Sequence, residues 1–211
     1  LNIMKNERLI TVTTGGGGDG YHVLDAYLKM LENMKDRSLL PPFKTIMVTG
    51  PFLSSRDTDQ ILERAGGLGI VAYDFFTDME TLIAASDIVV CMGGYNTICE
   101  AISSTTMSLV IPRETPRKEQ FIRAQAFQQE HLIELIPWTW LTATNLEEKI
   151  LAMLDNPGRM ETAMAGFQMN GISRICERIS KFWNGKNGKK CNPDTCSPET
   201  VYDPQRVSQD I

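Results

Sequence analysis

Leu9-Ile-Thr-Val-Thr-Thr14, then Gly15-Gly-Gly-Gly-Asp-Gly20, then residues 21–34: these three segments together decide the fold. The first is apolar and β-branched and reads as a strand. In the third, Val23, Leu24, Tyr27, Leu28 and Leu31 recur at helical spacing. The glycines between them form a loop that leaves a strand and opens a helix.

The same alternation continues outward along the chain. Strands are expected over residues 45–49, closed by Gly50-Pro51, and over 70–73, 87–92, 107–111 and 132–136. Helices are expected over 58–65, 79–85, from 97, over 119–129, from 144, and from Pro157-Gly158 to about 183. Thr77-x-x-Glu80, Thr97-x-x-Glu100 and Thr144-x-x-Glu147 each have capping-box spacing. Strands alternating with helices predict the α/β class, with right-handed crossovers winding a Rossmann-like, doubly wound parallel sheet. Ligands in such a sheet bind beyond the carboxyl ends of the strands. The loops to inspect are therefore 15–20, 51–55, 74–77, 93–96 and 113–118.

Composition narrows the function. The 211 residues suffice for one good core. A net charge of −5 argues against nucleic acid as a partner, because no basic excess is present to neutralise phosphates. No apolar run reaches the length of a membrane span, and no signal-peptide pattern opens the sequence. Of the five cysteines, Cys91 and Cys99 lie in apolar stretches and are expected to be buried thiols. Cys191 and Cys196 sit in a polar stretch at a C-x4-C spacing that is weak evidence for a bridge or a metal. The expectation is a reduced, cytoplasmic protein. Its opening, Leu-Asn-Ile-Met, sets the further expectation of a piece of a longer chain.

Two glycine loops carry the candidate chemistry. The loop at 15–20 matches G-x-G-x-x-G and lets backbone N–H groups approach a phosphate at a helix start. A tight turn without a ligand also explains it. An NAD site wants an acidic residue at the end of the second strand, where this chain has Val48-Thr49-Gly50-Pro51. No G-x-x-x-x-G-K-[ST] is present, which disfavours a P-loop NTPase. The second loop, in Asp87-Ile-Val-Val-Cys-Met-Gly-Gly-Tyr-Asn-Thr-Ile-Cys-Glu100, runs strand, Gly93-Gly94, hydroxyl, helix. Thr97 offers a hydroxyl and helix-start amides to an anion. Glu100 either accepts from a sugar diol or reaches back as the acid of a capping box, and spacing alone does not choose.

Met92-Gly-Gly-Tyr-Asn-Thr-Ile-Cys-Glu-Ala101 resembles the donor loop of MurG-like, family 28 type glycosyltransferases. Pro112-Arg-Glu-Thr-Pro-Arg-Lys-Glu-Gln-Phe-Ile-Arg-Ala124 resembles the family's proline, basic loop and acid/amide-Gln pair. Tyr73-Asp-Phe-Phe-Thr-Asp-Met79 resembles its uracil-facing segment, and the first glycine loop its diphosphate loop. The matches keep the family's order across residues 9–135. The chain resembles more closely still the bacterial predicted glycosyltransferases with a Pro-Arg…Glu-Gln signature.

The resemblance implies a single C-terminal-type domain of the GT-B fold; by composition the domain is expected to span 1–183, with 184–211, polar and Gly/Pro/Lys-rich, a flexible tail. It implies a donor site for a nucleotide diphosphate sugar, a UDP-sugar, with these roles. Thr97 and the Gly93 and Gly94 amides hold the diphosphate, beside Asn96 and the Gly16, Gly17 and Gly18 loop. Glu100 binds the ribose, Phe76 turns its backbone to the base, and Glu119 and Gln120 bind the donor sugar. Arg113, Arg117 and Lys118 are sources of positive charge, with Arg117 placed among the donor-binding residues. Glu119 departs from the Gln-Gln pair common in the family and leaves the sugar open. Without the resemblance, Glu119-Gln120 reads as a solvated first helical turn.

Asp57-Thr-Asp59 has the letters of a metal motif but follows Ser54-Ser55-Arg56 at a helix start, where N-capping explains it. No cofactor or metal is therefore expected, the departing charge being held by amides and a helix N-terminus. His22 is the local candidate for an acceptor base; a hydrogen-bonded first-turn histidine is its other reading. His131 reads as structural. In the resembled family the acceptor base and a membrane-facing patch belong to an N-terminal domain. The chain is thus expected to bind a nucleotide sugar, and to need that domain or a partner subunit for transfer. Peripheral association with the inner membrane face comes through that half. The competing readings are a two-subunit enzyme, a nucleotide-sugar hydrolase or epimerase, and an NAD-binding Rossmann module.

Overall fold

The computed structural model describes residues 7–16 and 18–187, with side chains described as far as 183. The chain divides into two compact units, residues 1–167 and 168–211.

Among its described residues the first unit contains six strands: β1 Arg8–Thr13, β2 Phe43–Val48, β3 Val71–Tyr73, β4 Ile88–Cys91, β5 Met107–Val110 and β6 Glu134–Leu135. Seven helices accompany them: α1 Tyr21–Asp36, α2 Ser55–Gly67, α3 Met79–Ala84, α4 Tyr95–Ser103, α5 Glu119–Gln129, α6 Ala143–Asp155 and α7 Gly158–Gly166. All strand pairings are parallel, in the order β3-β2-β1-β4-β5-β6. This is the doubly wound sheet expected from the alternation. Every residue of β4 and β5 is buried, so these strands read as continuous apolar runs. Ile10 and Val12 of β1 and Leu24, Tyr27, Leu28 and Leu31 of α1 join the same core. The single polar group of Tyr27 is satisfied there by Thr45, hydroxyl to hydroxyl at 2.9 Å.

Chain order reverses at β1. The chain first winds outward through β2 and β3, then returns to β4 on the other side of β1. Thr13 stands level with Cys91 in the β1–β4 register, so the two loops that follow leave the sheet side by side. A crevice at this switch point follows from topology alone.

The helix starts differ from the capping-box reading. α4 begins at Tyr95, with Gly94 as N-cap and no side-chain cap, so Thr97 lies inside the first turn. α3 is capped by Asp78, which accepts from the Thr81 amide at 3.1 Å, and α6 by Thr142, which accepts from Asn145 at 3.1 Å. α2 is capped by Ser54, with Asp57 in its first turn bonded back to the Ser54 hydroxyl, as N-capping predicted. The long final helix is two helices. α7 ends at Gly166, where Phe167 turns extended, and α8, Gly171–Asn187, belongs to the second unit. Within that unit Ile172, Ile175, Ile179, Phe182 and Trp183 are exposed at helical spacing. Cys91 is buried as expected, but Cys99 is only partly so. Cys191 and Cys196 lie outside the described residues.

Candidate functional site

The first glycine loop is held from below by hydroxyls. Thr14, buried at the end of β1, donates its Oγ1 proton to the Thr49 carbonyl at 2.7 Å, and the Thr13 hydroxyl accepts from the Gly15 amide at 3.3 Å. Gly15 turns the chain at φ +64. The loop after β2 then braces it from the side. The Phe52 amide donates to the Gly16 carbonyl at 2.8 Å, and the exposed Phe52 ring lies against Gly16. Gly50, at φ +89, comes so close that a Cβ there would sit 2.3 Å from the Gly15 carbonyl oxygen. Gly20 closes the loop and starts α1 without a side-chain cap.

The second loop is built the same way from β4. Gly93 takes φ +78, and a Cβ there would meet Val110 Cγ1 at 2.8 Å. Arg123 of α5 braces this turn by donating to the Gly93 carbonyl at 3.2 Å, with its guanidinium 5.5 Å from the Tyr95 ring centre. Because Gly94 brings no side chain to cap α4, the first amides of that helix face outward unpaired by side chains. Such an end attracts negative charge.

Between the two loops lies a cleft of about 250 Å³. Gly15, Gly16, Gly18 and Thr14 form one wall; Met92, Gly94 and Thr97 form the other; Phe52, Asp19, Arg113 and Gln120 form the rim. Cys91 lies at its base, where burial pushes the thiol up to about 11, partly offset by a hydrogen bond from the Gly93 backbone. Gln120 accepts from the Arg113 amide at 3.2 Å, which ties the start of α5 to the loop after β5. Arg113 pairs with Asp19 at 2.5 Å across the rim.

A second cleft of about 320 Å³ adjoins the first and shares Gly18, Asp19 and Arg113 with it. His22 lines this second cleft, with Tyr21, Glu114, Thr115 and Trp138. The His22 ring stands edge-on to Trp138 at 6.0 Å, and the Trp138 amide donates to Glu114 Oε1 at 3.3 Å.

Of the residues singled out in the sequence, Gly16, Gly18, Gly94, Thr97 and Gln120 line the first cleft. Gly93 shapes its turn without lining it. Asn96 and Glu100 follow on α4, exposed and half-buried respectively, beyond the cleft wall. Phe76 stands off in the loop before α3, its ring 5.4 Å from Tyr73 and packed on Leu9, Ile46, Val48 and Leu82. Arg117 and Glu119 are exposed beside the rim. Gly17 lies outside the described residues. His131 takes φ +59 after α5, and its Nε2 meets Arg159 at 2.7 Å, a structural setting.

Thr14, Asp19, Phe52, Arg123 and Trp138 escaped sequence reasoning. Their partners lie between 30 and 94 residues away along the chain in the Arg123–Gly93 and Arg113–Asp19 contacts, and no local pattern marks them. Among the described residues no group of three or more His, Cys, Asp or Glu is placed to hold a metal ion, and no helix is long and apolar enough to cross a membrane.

The model of the glycosyltransferase family 28 C-terminal domain matches residues 11–179. A UDP-N-acetylglucosamine--N-acetylmuramyl-(pentapeptide) pyrophosphoryl-undecaprenol N-acetylglucosamine transferase of Streptococcus pneumoniae (strain 70585) is 30% identical over 180 residues, covering 83% of this chain and 47% of that protein. The protein of the same name from Halalkalibacterium halodurans is 22% identical over 180 residues, covering 85% and 48%. The chain thus spans about half the length of these relatives. Among solved structures, Acinetobacter baumannii MurG superposes with a TM-score of 0.64 at 16% identity, over 84% of this chain and 51% of that one. A Neisseria meningitidis UDP-GlcNAc 2-epimerase bound to UDP-GlcNAc superposes with a TM-score of 0.55 at 18% identity, over 85% and 45%. The structural likenesses speak for the fold.

Proposed function

The chain belongs to the glycosyltransferase family 28 C-terminal domain family, and from that premise we propose that it binds a nucleotide diphosphate sugar, a UDP-sugar, as the donor side of a glycosyltransferase. One observation supports this reading above the others. The two glycine loops meet level at the switch point of the sheet, and the uncapped N-terminus of α4 opens onto the cleft between them. That arrangement suits a diphosphate, whose charge is met by backbone amides and a helix dipole.

In this reading Gly16, Gly18, Gly94 and the Thr97 hydroxyl surround the diphosphate, with Gly93 setting the turn. Asn96 follows on the same first helical turn. Glu100 takes the ribose, Phe76 offers its backbone to the base, and Gln120 with Glu119 meets the donor sugar beside Arg117. The leaving diphosphate is stabilised by amides and dipole, so transfer proceeds without a metal. His22 faces the adjoining cleft and is the base candidate of this chain. The acceptor is held by a further domain or partner subunit, in the part of the relatives that this chain does not cover. The enzyme works in the cytoplasm, at the inner face of the membrane through that acceptor half.

Isothermal titration of the chain with UDP, with and without EDTA, and with NADH as the contrast, tests the reading. Saturable UDP binding unaffected by EDTA, with no NADH binding, is the expected outcome. NADH binding without UDP binding would replace it with a dinucleotide module. The likeness to a UDP-GlcNAc 2-epimerase supports a second reading, and release of free sugar or of an epimer from UDP-GlcNAc without any acceptor would favour it.

A further inference from the structure

We propose that Arg113, rather than the exposed Arg117 of the same loop, grips the donor's diphosphate through the Nε–Nη2 edge of its guanidinium. The inference rests on the donor-site reading and assigns one of its contacts.

Arg113 follows β5 and lines both clefts. Its backbone is fixed, because its amide donates to Gln120 Oε1 at 3.2 Å. Its guanidinium is fixed at one point, because Nη1 pairs with Asp19 Oδ2 at 2.5 Å. The opposite edge is unpaired at Nε, which is buried and has no hydrogen-bond partner among the described residues. A buried donor left unpaired costs free energy until something fills it. Nε and Nη2 are the two parallel donors that receive an oxyanion as a fork, and phosphate oxygens have the matching spacing. Asp19 occupies Nη1 only, so it orients the group without closing the fork. Arg117, by contrast, is exposed and lines neither cleft.

The assignment makes fork geometry, not charge alone, the source of affinity. Binding of inorganic pyrophosphate and of UDP is measured by calorimetry for the full chain and for Arg113→Gln, Arg113→Lys and Arg117→Gln. Arg113→Gln is expected to weaken both probes by at least about tenfold. Arg113→Lys keeps the charge, loses the fork and weakens them nearly as much. Arg117 lines neither cleft, so Arg117→Gln is expected to weaken both probes less than either Arg113 variant does. Arg113 is partly exposed, and equal melting temperatures confirm that the variants fold. If the parent binds both probes and either Arg113 variant keeps the parent's affinity, or if Arg117→Gln carries the loss, the assignment is wrong and the donor reading stands. If the parent binds pyrophosphate in an Arg113-dependent way but not UDP, Arg113 is an oxyanion contact, the donor reading fails, and the assignment to a donor's diphosphate fails with it. A parent that binds neither probe overturns both.

Discussion

Gly50 shows how a single residue holds the site. Its neighbours in sequence mark it only as the breaker after the second strand. In the structure it supports the first glycine loop from 35 residues away, at φ +89 and within contact of the Gly15 carbonyl. Gly50→Ala therefore suffers twice: its backbone is disfavoured for an L side chain, and the new Cβ would lie 2.3 Å from a backbone oxygen that cannot move freely. The expected loss is about 2–4 kcal/mol in chemical denaturation, with UDP affinity falling alongside. An unchanged midpoint would mean that the loop does not rest on Gly50. The same scale explains why Phe52 was invisible. Its neighbours say only that a turn is near, and nothing local records that its ring covers Gly16.

At the scale of elements, α6 shows why helix positions were legible and caps were not. The periodic residues Leu146, Ile150 and Met153 are buried and announce the helix. Thr144-x-x-Glu147 then suggests a cap that does not form. Glu147 is taken by a tertiary partner, with Arg37 Nη2 at 2.7 Å from Oε1 and 2.5 Å from Oε2, at the end of α1. Thr142, two residues earlier and extended, caps instead. Thr142→Ala is expected to cost about 1 kcal/mol of stability, and Thr144→Ala less than about 0.5, measured by urea unfolding. The reverse order would restore the capping-box frame. α4 departs for a different reason. The left-handed turn at Gly93 lets the helix start at once, two residues before Thr97. This places the Thr97 hydroxyl in the cleft wall rather than on the helix's own amides.

At the scale of the whole molecule, the sheet that builds the site also gives it an alkaline limit. Cys91 ends β4 in the core, and its thiol is raised from 9.0 to about 11, first by burial. The folded state therefore favours the neutral thiol more than the unfolded state does. The resulting contribution is fully present below pH 9 and is lost as pH rises toward 11, by up to about 1.4 kcal/mol per unit. Tyr27, also pushed up by burial, adds a second contribution that is fully present below pH 10 and is lost above it. Between pH 9 and 10 the urea midpoint should fall more steeply for the parent than for Cys91→Val. Parallel slopes would show that the thiol is not desolvated. By itself the sequence determined the order of strands and helices, the parallel sheet, and the two glycine loops as the places for chemistry. These are encoded in hydrophobic period and in glycine, which act over a few residues, and β4 and β5 were plain because both their faces are buried. Only the tertiary structure decided that Arg113 meets Asp19, that Phe52 covers Gly16, and that Trp138 stands beside His22. Those contacts depend on which strands lie side by side and on where each side chain then points, and neighbours along the chain carry no record of either.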